Sequence, residues 1–127
     1  MEKTIKVAGN KALAAKLDED AKDAIRAGVI QNFEFTYELC WKFMRRWLRE
    51  NAAVEEAEYP RTRKELFRLA ARSGLIKEPL SWFSYSDARN LISHTYDEDK
   101  AETVYQTALG FLGDARYLLD RLQERND

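Results

Sequence analysis

The stretch IQNFEFTYELCWKFMRRWLRE, Ile30–Glu50, decides the fold. Ile30, Phe33, Tyr37, Cys40, Met44 and Trp47 recur at spacings of three and four, the period of one helix face. Phe35, Leu39 and Phe43 form a second stripe, and Trp41 and Leu48 widen the apolar side. That side is broader than an ordinary surface helix needs. It predicts burial against more than one neighbour, a second subunit included. A polar line runs through Gln31, Glu34, Glu38, Lys42, Arg45 and Arg49. Glu38 precedes Lys42 by four residues, the favourable order for an ion pair within the helix. Regular spacing reads the aromatics as core packing rather than as a platform for stacked bases.

Working outward, residues 51–60 read as a polar, acidic connection. Thr62 with Glu65 three residues later is a capping box. It opens a short helix over 63–72, with Leu66, Leu69 and Ala70 inward, and Gly74 suits the left-handed position that ends it. Leu75 and Ile76 turn back towards the core. Pro79 fits the first turn of a further helix. Trp82, Tyr85, Ala88 or Arg89, and Ile92 follow at helical spacing. A last helix runs to about Gln123, with Val104, Ala108, Phe111, Ala115, Leu118 and Leu122 on one face. Upstream, 1–10 read as a loose start and 11–25 as a helix with a thin stripe of Leu13, Leu17 and Ala21. Gly28 marks a break or bend before the main helix.

The chain of 127 residues is 34% charged and 45% hydrophobic, with five Gly and two Pro. That suits one soluble all-α domain over 1–127, an antiparallel up-and-down bundle of four or five helices, with 1–10 and 124–127 loosely ordered. No apolar run approaches the ~20 residues of a membrane span, and the N-terminus lacks a secretory pattern. The lone Cys40 has no internal disulfide partner and lies in an apolar stripe, so it reads as a packed thiol. The cytoplasm is the expected compartment. Net charge is −1, yet 42–77 carries ten Lys/Arg against five Asp/Glu, and 97–127 carries eight acids against four bases. The basic middle, dense in Arg61, Arg63, Lys64, Arg68 and Arg72, is either a solvated face or a groove for phosphates or a partner.

The chemistry gathers in SYSDARNLISHTYD. It holds Arg89, Asn90, Ser93, the only histidine His94, and Tyr96. Asn90 and His94, four apart, share a helix face. Arg89 and His94, five apart, diverge by about 140° on a regular helix. Either the helix ends near His94, with Asp97 capping the next one, or a second copy of the chain completes the site. On the plainer reading, His94 and Tyr96 terminate a helix and Arg89 pairs with an acid such as Asp87 or Glu34. No histidine or cysteine cluster offers a metal site, no Gly-rich phosphate loop is present, and no cofactor is expected.

RNLISHTY resembles the Arg-x4-His-x-Tyr motif of HEPN domains. GVIQNFEFTYELCWKFMRRWL closely resembles the matching helix in one HEPN branch, the nucleotidyltransferase substrate-binding proteins. The two signals, with the helices between and after them, span about 26–122. Against members of that branch, the first helix here reads as short. The resemblance implies a HEPN-like bundle, a homodimer, and a minimal nucleotidyltransferase as partner in a toxin–antitoxin type pair. It implies an RNA or nucleotide ligand and metal-independent RNA cleavage. Arg89 and His94 are then catalytic, with the imidazole moving protons and the guanidinium holding the phosphate. Asn90, Ser93 and Tyr96 would bind substrate, and Tyr96 would be the site a partner nucleotidylates. The alternative is a non-catalytic subunit that presents a nucleotide or substrate to the transferase.

Overall fold

The computed structural model describes residues 2–52, 60–92 and 98–125. Four helices account for them: α1 (Glu2–Asn51), α2 (Arg63–Arg72), α3 (Pro79–Ile92) and α4 (Glu98–Arg125). There is no strand among the described residues. Contacts pair α1 with α4 in the same direction: Arg26 with Glu102, Phe33 with Phe111, and Trp47 with Arg125. α1 and α4 pack directly on each other, α3 packs mainly on α4 and runs back the other way, so the long helices run up, down, up, and α2 is a short brace.

Helical backbone begins at Glu2, where a loose start and a short first helix were expected. Nor does Gly28 break α1. One interior glycine costs only ~1 kcal/mol relative to alanine, and the helix passes through it. At 50 residues, α1 is about 75 Å long at 1.5 Å per residue. Its first part outruns the bundle. Leu13, Leu17 and Ile25 are 57%, 58% and 62% exposed.

The core forms where the stripes meet. Phe33, Tyr37, Cys40, Met44 and Leu48 face inward from α1, Leu66, Phe67, Leu69 and Ala70 from α2, Trp82, Tyr85 and Ala88 from α3, and Val104, Ala108, Phe111 and Leu118 from α4. The main stripe of α1 is thus buried from Phe33 to Met44; Ile30 at its start is half-buried, and it ends on Leu48, with Trp47 half-buried under Arg125. The second stripe is not buried within this chain. Phe35, Leu39 and Phe43 are 60%, 54% and 49% exposed.

α2 is fixed at both ends by its local sequence. The Thr62 hydroxyl accepts from the Glu65 N–H at 3.2 Å. The Glu65 carboxylate reaches back to the Arg61 N–H at 2.8 Å, one residue earlier than a standard box. At the other end, Gly74 has φ +80°. The Leu75 N–H donates to the Ala70 carbonyl and the Gly74 N–H to the Ala71 carbonyl, the paired bonds of a Schellman motif. α4 closes over this turn. Arg121 donates to the Gly74 carbonyl at 3.1 Å, and Arg125 donates to the Ser73 carbonyl.

These two glycines predict opposite substitutions. Gly74→Ala is expected to cost about 1–2 kcal/mol, the penalty of a left-handed residue with a Cβ. Its new methyl would meet the Arg125 Nη2 at 2.6 Å, but that side-chain end can swing away, so the backbone sets the cost. At Gly28 a Cβ meets nothing within 4 Å, and Gly28→Ala is expected to stabilise by about 0.4–1 kcal/mol. Urea midpoints of the two variants check both signs.

Candidate functional site

α3 begins at Pro79, where the missing N–H is no loss, and the Glu78 carboxylate accepts from the Leu80 N–H at 3.1 Å. From there Trp82, Tyr85 and Ala88 enter the core at spacings of three. The same turn of helix carries Ser86 and Arg89 to the flank of α3 that faces α1. The Ser86 hydroxyl meets the Tyr37 hydroxyl, and Arg63 of α2 donates to that phenol oxygen at 3.1 Å. The phenol oxygen can accept from Arg63 and either hydroxyl of the Tyr37–Ser86 pair can donate to the other.

Arg89 lies one turn beyond. Its Nε is 3.5 Å from Oε1 of Glu38, with the two side chains 28% and 30% exposed. The other oxygen of Glu38 accepts from Trp41 Nε1 at 2.9 Å. The contact with Arg89 is an ion pair rather than a hydrogen bond, so Glu38 keeps the guanidinium nearby without fixing its plane. This replaces the expected pairing of Glu38 with Lys42. The acid that Arg89 meets is one turn beyond the expected Glu34 on the same helix. Lys42 instead lies 5.7 Å from the Trp41 ring centroid, with Arg45 at 5.4 Å and Arg63 at 4.5 Å.

Of the residues expected to form the site, the structure places Arg89 half-buried against α1 and Asn90 exposed beside it. Ser93, His94 and Tyr96, and the expected cap Asp97, lie outside the described residues. Sequence reasoning missed Glu38, Trp41, Tyr37 and Arg63 as neighbours of the motif. The acid–indole spacing of three in α1 was visible. The approach of α3 to it was not.

Two other groups are chemically quiet. Burial pushes the Cys40 thiol up to about 12, which keeps it protonated and unreactive at neutral pH. Burial, with the Asp114 carboxylate it donates to, holds the Tyr85 phenol well above its ordinary value. On the surface, Gln106 and Arg26 lower the Glu102 carboxyl. Among the described residues no group of three or more metal-ligating side chains gathers, and no helix is long and apolar enough to cross a membrane.

Among the described residues the chain is a strand-free bundle of four helices with an arginine set late in the third, as expected of a HEPN-like domain. Residues 3–124 match the family described as nucleotidyltransferase substrate binding protein like, and the chain belongs to that family. It is 42% identical over 105 residues to the probable ribonuclease HepT of Haemophilus influenzae, covering 83% of this chain and 72% of the relative. A solved Haemophilus influenzae structure, described as the fold of a substrate-binding domain of a nucleotidyltransferase, superposes with a TM-score of 0.72 at 42% identity. That match covers 80% of this chain and 75% of the other. A crystal structure from Thermus thermophilus gives a TM-score of 0.65 at 31% identity, covering 76% of this chain and 80% of the other.

Proposed function

We propose that this chain is the HEPN half of a two-component, toxin–antitoxin type pair with a minimal nucleotidyltransferase. In this reading it is a metal-independent endoribonuclease. The observation that carries the reading is Arg89, half-buried and held by Glu38 at the end of α3, five residues before the only histidine. Likeness to a probable ribonuclease supports the chemistry. The ribose 2′-oxygen attacks the adjacent phosphorus, and the bond from phosphorus to the 5′-oxygen breaks. A 2′,3′-cyclic phosphate and a 5′-hydroxyl end result. The His94 imidazole takes the 2′-proton, and a proton returns to the departing oxygen. The Arg89 guanidinium balances charge as it grows on the phosphate. Asn90 and Ser93 hold the phosphate or the imidazole. Tyr96 binds the strand and accepts a nucleotide from the partner enzyme.

The working unit in this reading is a cytoplasmic homodimer that brings two motifs to one cleft. The exposed Phe35, Leu39 and Phe43 stripe of α1, together with Leu109, Leu112 and Leu119 on α4, supports a second copy of the chain as neighbour. A second reading is a non-catalytic subunit that presents a nucleotide to the transferase. Similarity to a structure described as a substrate-binding domain favours it. Single-stranded RNA incubated with the purified chain in excess EDTA separates the two. The nuclease reading expects cyclic-phosphate ends to accumulate. Intact RNA together with saturable binding of a labelled nucleoside triphosphate would leave the second reading standing.

A further inference from the structure

We propose that two copies of this chain lie antiparallel along α1, so that the overhanging first part of each helix covers the exposed Phe35, Leu39 and Phe43 of the other. This rests on the homodimer reading and says how the two copies meet. It does not depend on RNA cleavage.

Every residue from 11 to 25 is exposed. A helical stretch of that length standing alone is marginal in water, and most helix stability in proteins comes from packing an apolar face. The overhang carries such a face. On a regular helix, Leu13, Leu17 and Ile25 fall within the same arc of about 120° as Phe35, Leu39 and Phe43. All six are between 49% and 62% exposed. The stripe they form is about 45 Å long and points away from the buried Phe33, Tyr37 and Met44. It therefore continues without a change of face from the bundle into the overhang.

Charge sets the direction and names the occupant. Residues 18–23 carry four acids and one base: Asp18, Glu19, Asp20 and Asp23 against Lys22. Residues 42–49 carry four bases and no acid. A parallel copy would lay acids on acids and bases on bases. An antiparallel copy lays each block on its opposite. One helix thus supplies both halves of the contact, as a twofold interface requires. The blocks coincide when the helices cross near residue 33, midway between them. Phe43 then comes over the small Ala24, so a bulky side chain meets a small one across the seam. Glu38 stands at the edge of the stripe, five residues past the crossing. The two Glu38–Arg89 pairs then lie about 15 Å apart along the axis, and the twofold axis keeps them on one side of the dimer.

Cysteine cross-linking reads the direction. Asn32 is exposed, next to the crossing, and Asn32→Cys is expected to form a disulfide-linked dimer on mild oxidation. Leu17→Cys is expected to stay unlinked, because its two copies lie about 48 Å apart along the axis. The native Cys40 is buried and stays out of the reaction. Sedimentation velocity reads the charge. Asp18→Lys with Asp20→Lys is expected to weaken the dimer roughly tenfold, since several exposed charge contacts change sign together. Adding Lys42→Glu and Arg46→Glu is expected to restore the wild-type affinity. These positions lie off the core, and circular dichroism melts confirm that each variant folds. Cross-linking through Leu17→Cys, or a dimer indifferent to the charge reversals, overturns the antiparallel seam and leaves the homodimer standing. A wild-type chain that stays monomeric removes both. Overhang amides that gain protection from hydrogen exchange only when the minimal nucleotidyltransferase is added would assign the stripe to that partner and overturn the seam.

Discussion

Phe111→Ala is expected to cost about 3–5 kcal/mol of folding stability. Phe111 is 1% exposed. Its ring lies 5.1 Å from Phe33, 6.5 Å from Tyr37, 5.6 Å from Trp82 and 5.0 Å from Tyr85, all in edge-on contact. It therefore joins α4 to α1 and α3 at once. Truncation removes buried area and leaves a cavity, and it also ends several ring-edge contacts worth ~0.5–1.5 kcal/mol each. Small domains hold only ~5–15 kcal/mol in total. With a urea slope of ~2 kcal/mol per molar, the midpoint is expected to fall by about 2 M. Leu80→Ala is the control, since Leu80 is 65% exposed and surface changes stay within about 0.5 kcal/mol. A Phe111→Ala midpoint no lower than that control would mean that the three long helices are not joined through this ring.

Much of this architecture was legible because local chemistry dictates it. Thr62, Glu65, Gly74 and Pro79 each meet a backbone demand that a few residues settle among themselves. The inward stripe of α1 was legible for the same kind of reason, because its period is intrinsic to the helix. Gly28 misled because a glycine lowers helix propensity without forbidding helix, and the neighbours on both sides carried the turn through. The pairing of Glu38 misled for a different reason. Sequence spacing shows Lys42 and Trp41 each within a turn of Glu38, but not that Arg89 arrives from α3. Burial then favours the less mobile partners, since ordering an exposed lysine costs side-chain entropy. Arg89 stands out in the sequence by its motif, and the structure adds its place beside Glu38. Arg63 was visible only as one of many basic residues until α2 packed it over Trp41. Phe35, Leu39 and Phe43 were read as needing a second neighbour, and this chain alone leaves them uncovered.

On the nuclease reading proposed above, Arg89→Lys is expected to lower kcat for RNA cleavage by about 10²–10³-fold, the cost of losing an aimed donor to the charged phosphate. The substitution keeps the charge, so a loss reads as geometry rather than as net electrostatics. Glu38 engages the guanidinium through Nε at 3.5 Å, and its own position is held by Trp41. That ion pair keeps the guanidinium beside α1. A lysine can pair with Glu38 or with a phosphate as a point charge, but it has no planar fork to span the two. Glu38→Gln, which touches Arg89 and Trp41, is expected to lower kcat by less, about tenfold, with KM little changed. On the proposed mechanism, His94→Ala is expected to abolish turnover. Arg89→Ala is the poorer experiment, because it strips a half-buried carboxylate of its cation and mixes stability with catalysis. Single-turnover cleavage in EDTA, with equal helicity shown for each variant, separates these cases. An Arg89→Lys chain that keeps more than about a third of the wild-type kcat would take the forked geometry out of the mechanism. The cation alone would then suffice, and the ion pair with Glu38 would serve packing alone.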